Sequence, residues 1–533
     1  MAQILVADEA ARLIPDGAVV AISSSSGLCL PDRMLRAIGE RFAREDKPRG
    51  LTTIHPIASG DMYGQKGIDH LARPGLLARV IAGSYPSGPS SLPQPAIWKM
   101  IGEEALAAWN LPSGLIFDAL REGAAGRPGV LTKVGLDTFV DPRREGGRMN
   151  RAAADDLVRL VEFEGEEWLY IPALRPDVAI IRATTGDGRG NLSMEREAAP
   201  LGALELALAA RNAGGLVIAQ VERLATVGSI PTRKVHVPSS LVDVVVVEPE
   251  PMQVTATRYD PGLSGEIRVD LGRLEPLPFG PDKVIARRAA LELAAGEIAA
   301  LGFGISAEVP RILLEEGHHG HVTFAIEQGP VGGLPVAGFA FGCALNADAI
   351  IPSPHQFTFF QGAGFDLALL SFLQIDQAGN VNVSRLKARP WLTAGVGGFI
   401  DITARARRIV FSGTFTAGGP RLEIAQRRLA IRAEGKIKKL VPEVEQVTFS
   451  GARAREQGQD VTVITERCVL RRGSEGLTVT EIAPGVDLER DVLAQADIPL
   501  AVSADLREMD PRLFDPAPMA LTLHPGREPE RLR

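Results

Sequence analysis

Several features are scarce in this 533-residue chain, and each scarcity argues against a class of protein. Three cysteines (Cys29, Cys343 and Cys468) are too few for a disulfide framework, so we expect a reducing compartment. Lys and Arg form no cluster and the net charge is -7, which argues against nucleic acid as a partner. No apolar run approaches the ~18 residues of a membrane span, and the N-terminus carries acids where a signal peptide is basic. We therefore expect a cytoplasmic protein without membrane contact.

Aromatic residues are also few, at 5%, whereas the chain contains 56 glycines and 38 prolines. A hydrophobic content of 45% excludes a disordered chain, because disorder requires few apolar residues. At roughly 150 residues per domain, the length predicts two to four domains. A chain rich in glycine and poor in aromatics favours turns at which the backbone approaches a large ligand closely.

Short apolar runs alternate with segments of helical period, and this pattern predicts an α/β fold. Continuous apolar strands between helices indicate parallel sheets that are covered on both faces. The predicted helical segments include residues 201–213 and 282–301. The predicted strands are residues 17–22, 178–181, 216–221, 242–247, 322–326, 367–370 and 409–411.

Two segments of the chain resemble each other and indicate two related halves. Residues 177–191 (DVAIIRATTGDGRGN) and 366–380 (DLALLSFLQIDQAGN) share Asp, Ala, Asp, Gly and Asn at identical spacing. In each copy an apolar strand runs into turn residues, and a helix and a strand follow. Two similar halves that face each other place a site in the cleft between them, at the carboxyl ends of the strands.

A proline-rich stretch marks the predicted boundary between the halves. Residues 274–282 (LEPLPFGPD) contain three prolines, which neither continue a helix nor fill a central strand. We therefore predict Asp282 as the cap of the helix that follows. The predicted division is a first domain at 1–273, a linker at 274–282, a second domain at 283–524 and a polar tail at 525–533.

The most informative window is residues 321–342, where an apolar strand ends in a single carboxylate, Glu327. Gln328 and a glycine-rich stretch follow, so that residues 326–333 read IEQGPVGG. The strand would fix the carboxylate, while the glycines would let a ligand reach backbone N–H groups. The residues alone leave a second interpretation open, in which the Glu caps a helix or pairs with an Arg at the surface.

This window resembles the catalytic segment of the class I coenzyme A transferases, specifically the single-chain propionate/acetate type. The resemblance covers nearly the whole chain and includes residues 126–135 (GRPGVLTKVG), 138–142 (TFVDP), 235–247, 376–383 (DQAGNVNV), 395–402 (GVGGFIDI), 411–419 (FSGTFTAGG), 446–451 (QVTFSG) and 481–485 (EIAPG). It implies two open, mainly parallel-sheet domains with the active site in the cleft between them. It also implies CoA as a substrate without a resident cofactor or metal, and a homotetramer.

The resemblance assigns Glu327 as the nucleophile that attacks an acyl-CoA thioester. An acyl-glutamyl anhydride and then a glutamyl-CoA thioester would follow, and a second carboxylate would take the CoA in the reverse sequence. A carboxylate of ordinary pKa, ~4.3, is ionised at pH 7 and needs no helper base. We expect the glycine-rich loop 395–399 to supply backbone donors for the oxyanion, from Gly395, Gly397 and Gly398.

Further site residues are also implied by the resemblance. We expect a loop that follows the helix from Asp282, and a polar residue after the catalytic loop, to contact CoA. These residues are Gly302, Phe303, Gly304, Ile305 and Asn346. An alternative role for Asn346 is to cap the next helix. Gly27, Leu28 and Cys29 follow the first apolar strand, in the place of the first half that is equivalent to the loop 395–399, and we expect them to face Glu327 across the cleft.

Some residues depart from the family pattern or suggest other chemistry. Residues 360–365 read FQGAGF where relatives commonly have an acid and three glycines, so Gln361 and Ala363 are substitutions. A run of four serines at 23–26 is also unusual. The HHGH at 318–321 is not predicted to bind metal, because adjacent histidines point different ways and no second ligand group has suitable spacing.

The sequence thus predicts an enzyme that moves CoA from an acyl-CoA to a short-chain carboxylate such as acetate or propionate, by a ping-pong mechanism. Three alternatives remain open, one of which is a structural subunit that binds CoA without turnover. In an acyl-CoA hydrolase on the same scaffold, water would resolve the anhydride. The same general fold would also serve a CoA- or sugar-phosphate-binding module without catalysis.

Overall fold

The computed structural model describes residues 1–89, 91–473 and 476–526, and two large sheets organise it. In the first sheet, Gln3–Leu5 lies beside Val244–Val247, and Leu77–Ala82 and then Ala107–Asn110 lie beyond Leu51–His55. The five central strands are parallel, in the order β5-β4-β3-β1-β2. They are β1 (Val19–Ile22), β2 (Leu51–His55), β3 (Val178–Asp187), β4 (Leu216–Ala225) and β5 (Val244–Val247). All ten residues of β3 are buried, as expected for a strand covered on both faces.

The second sheet repeats this arrangement, with five parallel central strands in the order β10-β9-β8-β6-β7. They are β6 (Ile298–Leu301), β7 (Thr323–Ala325), β8 (Leu367–Ser371), β9 (Arg408–Ser412) and β10 (Asp460–Ile464). Further strands extend both edges of this sheet: Pro330–Val331 and Ala349–Ile350 beyond β7, and Cys468–Arg472, Leu477–Ile482 and Ala501–Glu508 beyond β10. Because the strand order is the same in both halves, the predicted α/β class with two related halves is confirmed.

The repeated sequence segment makes the same hydrogen bonds in both halves at its start. Asp177 precedes β3, and its Oδ2 accepts the backbone N–H of Val19 at 2.8 Å. Asp366 precedes β8, and its Oδ2 accepts the backbone N–H of Ile298 at 2.9 Å. Each aspartate therefore fixes the register between its own strand and the first central strand of its half.

The turn at the end of the repeated segment is also built in the same way twice. Asp187 Oδ2 accepts from Asn191 Nδ2 at 3.0 Å, and Asp376 Oδ2 accepts from Asn380 Nδ2 at 3.0 Å. The Oδ1 atom of each aspartate accepts the backbone N–H of the same asparagine. The identities at fixed spacing are therefore the residues that hold the turn together.

Helices cover the sheets, and three of them meet between the halves. These are α1 (Ser113–Ala124) from the first half, and α2 (Ser353–Gln361) and α3 (Phe399–Thr403) from the second. Phe117 of α1 contacts Phe357 of α2, with ring centroids 5.9 Å apart. The other α-helices are Ala7–Arg12, Asp32–Glu45, Ala96–Gly102, Ala203–Asn212, Pro281–Ala290, Val309–Glu315 and Gly451–Glu456.

Smaller sheets lie outside this framework. A three-stranded antiparallel sheet consists of Gly129–Thr132, Arg159–Phe163 and Glu166–Pro172. The two-stranded pairs are Leu334–Pro335 with Ala344–Leu345, Gln374–Ile375 with Val381–Asn382, Thr416–Ala417 with Ile437–Lys438, Arg421–Ala425 with Arg428–Ala433, and Ala294–Ala295 with His524–Pro525.

The predicted helix over residues 282–301 is wrong in its second half. The helix Pro281–Ala290 ends before a turn at Gly296, and β6 then begins at Ile298. The apolar residues of β6 are held by strands on both sides, and this pairing outweighs the helical propensity of the segment. The loop that starts at Gly302 therefore follows a strand and not a helix. The predicted capping role of Asp282 is also wrong, because Gly280 is the N-cap and no side chain caps this helix.

The boundaries of the predicted linker and tail can be compared with the fold. Residues 274–280 belong to no helix or strand. The strand His524–Pro525 pairs in parallel with Ala294–Ala295, so the predicted start of the tail at residue 525 divides a strand. Residues 527–533 of that tail lie outside the described residues. The three cysteines are buried and unpaired. In the described ranges, no helix combines the length and the apolar character that a bilayer crossing needs.

Candidate active site

Glu327 lies in a tight turn at the carboxyl edge of the second sheet. β7 is followed by Ile326, and Pro330–Val331 then returns antiparallel to β7. The N–H of Gly329 donates to the carbonyl oxygen of Ile326 at 2.9 Å, which closes the turn around Glu327. Gly329 has a φ of +126°, and a Cβ there would overlap the carbonyl oxygen of Ile351. A strand and an obligatory glycine thus fix the position of the carboxylate.

Both oxygen atoms of the Glu327 carboxylate accept hydrogen bonds. The backbone N–H of Gly398 donates to Oε2 at 2.8 Å, and Gln328 Nε2 donates to Oε1 at 3.2 Å. Burial raises the pKa of Glu327 to about 7, and these two hydrogen bonds oppose the rise. The expectation of an ordinary, fully ionised carboxylate at pH 7 is therefore wrong. The group titrates near neutrality, and its anion is more basic than that of an exposed glutamate.

The glycines of the loop 395–398 are required by what surrounds them. A Cβ at Gly398 would overlap Glu327 Oε2, so only glycine brings its N–H this close to the carboxylate. Gly397 has a φ of +51°, and a Cβ there would lie 3.2 Å from Ser84 Oγ and 3.7 Å from Glu327 Oε2. A Cβ at Gly395 would lie 2.8 Å from Asn110 Oδ1. The structure therefore brings this loop, the catalytic carboxylate candidate and two first-half side chains together.

The first half holds this loop through Asn110, which ends the edge strand Ala107–Asn110. Asn110 Oδ1 accepts the N–H of Val396 at 2.9 Å, and its Nδ2 donates to the carbonyl oxygen of Gly83 at 2.7 Å. The N–H of Gly397 also donates to that carbonyl oxygen, at 2.8 Å. Of the three glycines predicted as oxyanion donors, Gly397 thus has its N–H occupied, whereas Gly398 directs its N–H at the carboxylate.

The predicted facing loop of the first half is a tight and mostly buried turn. Ser25 and Leu28 exchange backbone hydrogen bonds at 3.0 and 2.8 Å. A Cβ at Gly27 would lie 2.7 Å from the backbone nitrogen of Thr255, and the Sγ of Cys29 lies 2.9 Å from a backbone carbonyl oxygen. Gly27, Leu28 and Cys29 therefore shape the turn, and their contact with a substrate stays a prediction.

The residue of this turn that reaches the segment of Glu327 is Ser25, whose Oγ accepts from Gln328 Nε2 at 3.1 Å. In the sequence, the unusual run of serines at 23–26 was the feature that could have indicated this residue. The expected equivalence of this turn with the loop 395–399 is wrong, because strand order places it after β1, in the position that Gly302–Ile305 occupies after β6.

The loop predicted to contact the CoA arm lies at the carboxyl end of β6. A Cβ at Gly304 would overlap Ser371 Oγ, and one at Gly302 would lie 2.6 Å from a methyl group of Leu370. Phe303 between them is 67% exposed. Ile305 begins a short 3₁₀ turn. The loop thus packs closely on the sheet and holds one aromatic ring toward solvent.

Asn346 is engaged by the backbone of the segment before the linker. Its Oδ1 accepts the N–H of Val269 at 2.8 Å, and its Nδ2 donates to the carbonyl oxygen of Val269 at 2.9 Å. A strand, Ala349–Ile350, follows, so the alternative role as a helix cap is wrong. Its contact with CoA stays a prediction.

Aromatic rings gather beside the segment of Glu327 and Gln328, in a chain that has few of them. The rings of Phe303 and Phe341 meet edge to face with centroids 5.3 Å apart, and those of Tyr63 and Phe339 do so at 4.6 Å. The loop that carries Phe339 and Phe341 continues to Gly342, where a Cβ would lie 2.8 Å from the side chain of Gln328. The aromatic cluster, as we name these four residues, is Tyr63, Phe303, Phe339 and Phe341.

Several known proteins are similar to this chain. A model of the family "Coenzyme A transferase" matches residues 4–248. Caffeate CoA-transferase of Acetobacterium woodii is 42% identical to the chain over 520 residues, which are 96% of this chain and 98% of that protein. The chain belongs to the coenzyme A transferase family. The family that the sequence motifs predicted is therefore confirmed.

Other relatives of this CoA-transferase support the same assignment. Acetate CoA-transferase YdiF of Escherichia coli K12 is 37% identical over 525 residues, which are 98% of this chain and 96% of that protein. The crystal structure of the acyl-CoA transferase YdiF apoenzyme from E. coli O157:H7 matches with a TM-score of 0.91 at 37% identity, over 98% of each chain. A thioester complex of that enzyme with CoA also has a TM-score of 0.91, at 36% identity. The predicted fold is thus confirmed over nearly the whole chain.

Proposed function

We propose that this CoA-transferase moves CoA between an acyl-CoA and a free carboxylate through covalent intermediates on Glu327. The observation that carries this proposal is the pair of hydrogen bonds to Glu327, from Gly398 N–H at 2.8 Å and Gln328 Nε2 at 3.2 Å. These donors hold the carboxylate in a glycine-walled position that a second molecule can approach. A relative that has been solved as a thioester complex with CoA supports the proposal further.

The first half-reaction begins when a Glu327 oxygen attacks the carbonyl carbon of the acyl-CoA thioester. The C–S bond breaks, CoA leaves as a thiolate, and an acyl-glutamyl anhydride remains. The thiolate then attacks the glutamyl carbonyl carbon, the donor carboxylate leaves, and a glutamyl-CoA thioester forms. In the second half-reaction the acceptor carboxylate attacks this thioester and the same steps run in reverse, which restores the Glu327 carboxylate.

The two donors around Glu327 would act when its carbonyl carbon is attacked. Negative charge then develops on the glutamyl oxygen, at the place where the N–H of Gly398 or the amide of Gln328 already donates. A preorganised donor of this kind contributes roughly 3–4 kcal/mol to the transition state. Binding energy from the non-reacting CoA body can lower the barrier further.

The raised pKa of Glu327, about 7, gives the first step a pH dependence. Only the carboxylate is nucleophilic, so the rate of acylation should rise with pH as Glu327 loses its proton. The same basicity strengthens the anion as a nucleophile. We therefore expect single-turnover acylation to increase between about pH 6 and pH 8.

Our first candidate acceptor is a short-chain carboxylate such as acetate or propionate, which the 37% identity to an acetate CoA-transferase supports. A second candidate is an aromatic acid. The aromatic cluster beside Gln328 favours it, since a planar ring can meet these rings edge to face, and the 42% identity to a caffeate CoA-transferase is consistent with it.

Substitution of Glu327 tests the central proposal. Glu327→Ala and Glu327→Gln should abolish transfer while the enzyme stays folded. Borohydride added to wild-type enzyme with acyl-CoA should reduce the glutamyl thioester to an alcohol, which mass spectrometry would locate at residue 327. Glu443→Gln, a change at an exposed glutamate, is the matched control and should keep full activity. Transfer by Glu327→Ala at a rate near wild type would refute the assignment.

A panel of acceptors distinguishes the two candidates and the hydrolase alternative. With one acyl-CoA donor, kcat/KM is measured for acetate, propionate, butyrate, cinnamate and caffeate. Phe339→Ala should lower kcat/KM for the aromatic acids and leave that for acetate unchanged if aromatic acids are the substrates. Release of free CoA at a rate that does not depend on any acceptor would indicate a hydrolase.

We also propose the domain division at 1–273 and 283–524 with the linker at 274–282, a homotetramer and a cytoplasmic location. Limited proteolysis should cut first in the linker. Light scattering on the purified protein should give four times the chain mass of 56.8 kDa.

A further inference from the structure

A second buried acid, Asp401, lies three residues after Gly398 in α3. Asp401 is fully buried. Its Oδ2 accepts the backbone N–H of Gly114 at 3.0 Å, and its Oδ1 accepts from Gln361 Nε2 at 2.9 Å. One partner belongs to the first half and the other to the second. The Asp401 carboxyl group therefore joins the two halves directly behind the donor to Glu327.

The contact with Gly114 completes the N-terminus of α1. The first N–H groups of a helix have no partner within the helix, and Pro112 at the N-cap position offers no side-chain acceptor. The N–H of Ser113 donates to the carbonyl oxygen of Gly397 at 2.9 Å, and that of Gly114 donates to Asp401. A Cβ at Gly114 would overlap Asp401 Oδ1. The catalytic loop thus caps a helix of the opposite half.

Gln361 holds Asp401 from the other side. Its Nε2 donates to Asp401 Oδ1 at 2.9 Å and to Asp118 Oδ2 at 3.1 Å, and Asp118 pairs with Arg121 on the same helix. An amide can donate to both carboxyl groups, whereas an acid at position 361 would add a third carboxyl group between them. Gln361, which departs from the family pattern, therefore connects α1, α2 and α3 by hydrogen bonds.

We propose that Asp401 is a positioning residue for CoA transfer. It holds the backbone of Gly397 and Gly398 against α1, so that the N–H of Gly398 meets Glu327. Gln361 keeps Asp401 in this position. This proposal rests on the proposed role of Glu327. The Asp401 carboxyl group touches no reacting atom and acts through the loop. Loss of its contacts with Gly114 would free the loop to shift, and a shift of ~1 Å in a catalytic group can cost about 100-fold in rate.

The charge of Asp401 also affects the reaction. Burial raises the pKa of Asp401 to about 8, the hydrogen bonds from Gln361 and Gly114 oppose the rise, and Asp118 and Glu327 add to it. The groups that face Asp401 are thus Gln361 on α2, Gly114 and the Asp118–Arg121 pair on α1, and Glu327 across Gly398. An ionised Asp401 would disfavour the negative charge that develops on the glutamyl oxygen, so thioester formation should slow above about pH 8.

Three variants test the proposal by single-turnover formation of the borohydride-trapped thioester and by steady-state kinetics between pH 5.5 and 9. Asp401→Ala should lower kcat about 10- to 100-fold and change the KM for acyl-CoA by less than about threefold. Asp401→Asn keeps an acceptor oxygen for Gly114 and removes the charge, so it should restore most of the rate at pH 7 and lose the decline above pH 8. Gln361→Glu should lower kcat about tenfold and move that decline to higher pH, because a third acid raises the pKa of Asp401 further.

The controls separate this proposal from its premise. Asp187→Asn removes another fully buried aspartate that accepts backbone N–H groups, outside the site, and should lower the Tm without changing the pH profile. A wild-type kcat in Asp401→Ala would overturn the positioning role. If Asp401→Ala does not fold, a wild-type kcat in Gln361→Glu would overturn it instead. Equal losses in Asp401→Ala and Asp401→Asn with an unchanged pH profile would also overturn it, as a purely structural effect. Retained transfer by Glu327→Ala would instead refute the premise.

Discussion

The two halves of this CoA-transferase share five central strands but differ at one position just beyond the second strand. In the first sheet Thr52 lies opposite Val19, and in the second Thr323 lies opposite Ile298, each at the position fixed by the repeated aspartate contact. Four residues further along the chain, the corresponding residues are Pro56 and Glu327. The same scaffold thus offers an ionisable group at one edge and a proline, which cannot ionise, at the other.

This difference shows that the two halves contribute different kinds of groups to the candidate site. The first half reaches the site with neutral groups, namely the hydroxyls of Ser25 and Ser84 and the amide of Asn110. The second half supplies Glu327 and the N–H of Gly398. The proposed nucleophile comes from one copy of the scaffold, and much of the support that positions it comes from the other. The following predictions test this division.

The largest effect is expected in the second half, from Gly398→Ala. The added Cβ would overlap Glu327 Oε2, displace the N–H donor and remove one preorganised hydrogen bond. We expect kcat to fall about 100- to 1000-fold. Steady-state kinetics and borohydride trapping would measure the loss, and circular dichroism would confirm the fold. A decrease of less than threefold would show that Gly398 is not the essential donor.

A smaller loss is expected in the first half, from Asn110→Ala. The N–H of Val396 would lose its acceptor, and the loop before Gly398 would lose its anchor to the first sheet. We expect kcat to fall about 10- to 100-fold, because the donor is misplaced and not removed. Asn212→Ala, a change at an exposed asparagine bonded to the end of α1, is the control and should keep wild-type kinetics. Equal kinetics in both variants would contradict the supporting role of the first half.

The repeated turns allow a matched comparison of stability, by Asp187→Asn and Asp376→Asn. Asp187 Oδ1 accepts three backbone N–H groups, from Arg189, Gly190 and Asn191. Asp376 Oδ1 accepts one, from Asn380. Each substitution should cost about 1–3 kcal/mol, and the cost should be larger at Asp187. Thermal unfolding would measure both losses. A larger loss at Asp376 would contradict the expectation that stability follows the number of N–H groups donated to each aspartate.

The smallest effect is the loss of folding stability that ionisation of the buried Glu327 carboxylate causes. Because the pKa of Glu327 is about 7 in the folded protein and ~4.3 in the unfolded chain, the folded state binds more protons between these values. Stability from this group is therefore present at low pH and is lost as the pH rises through 7. Glu327→Gln should match wild type near pH 5 and exceed its Tm by a few degrees at pH 8. A Tm difference that does not vary with pH would contradict this.

Much of the fold and one candidate catalytic residue could be predicted from local patterns. Continuous apolar runs and a repeated pair of aspartates indicated the two sheets, and Glu327 was recognisable as a lone acid between an apolar strand and glycines. The family resemblance then supplied the loop of Gly398. These features are carried by residues that lie close together in the chain.

The rest depends on contacts between distant segments. Asn110 and Val396, or Ser25 and Gln328, are about 300 residues apart, and asparagine and serine are common, so nothing in the sequence singles them out. The raised pKa of Glu327 follows from burial, which only the assembled cleft produces. The error at residues 291–301 has a similar origin, because neighbouring strands outweighed a local helical pattern.

The N-terminus of α1 has a consequence for how the chain assembles. During synthesis the first half emerges before the loop that carries Gly397 and Asp401. The N–H groups of Ser113 and Gly114 therefore lack these acceptors until a segment almost 300 residues later has been translated. The first sheet can form earlier, but this helix end is completed only when the second half docks. The contact therefore links maturation of the helix to formation of the active site, so that a half-folded enzyme lacks both at once.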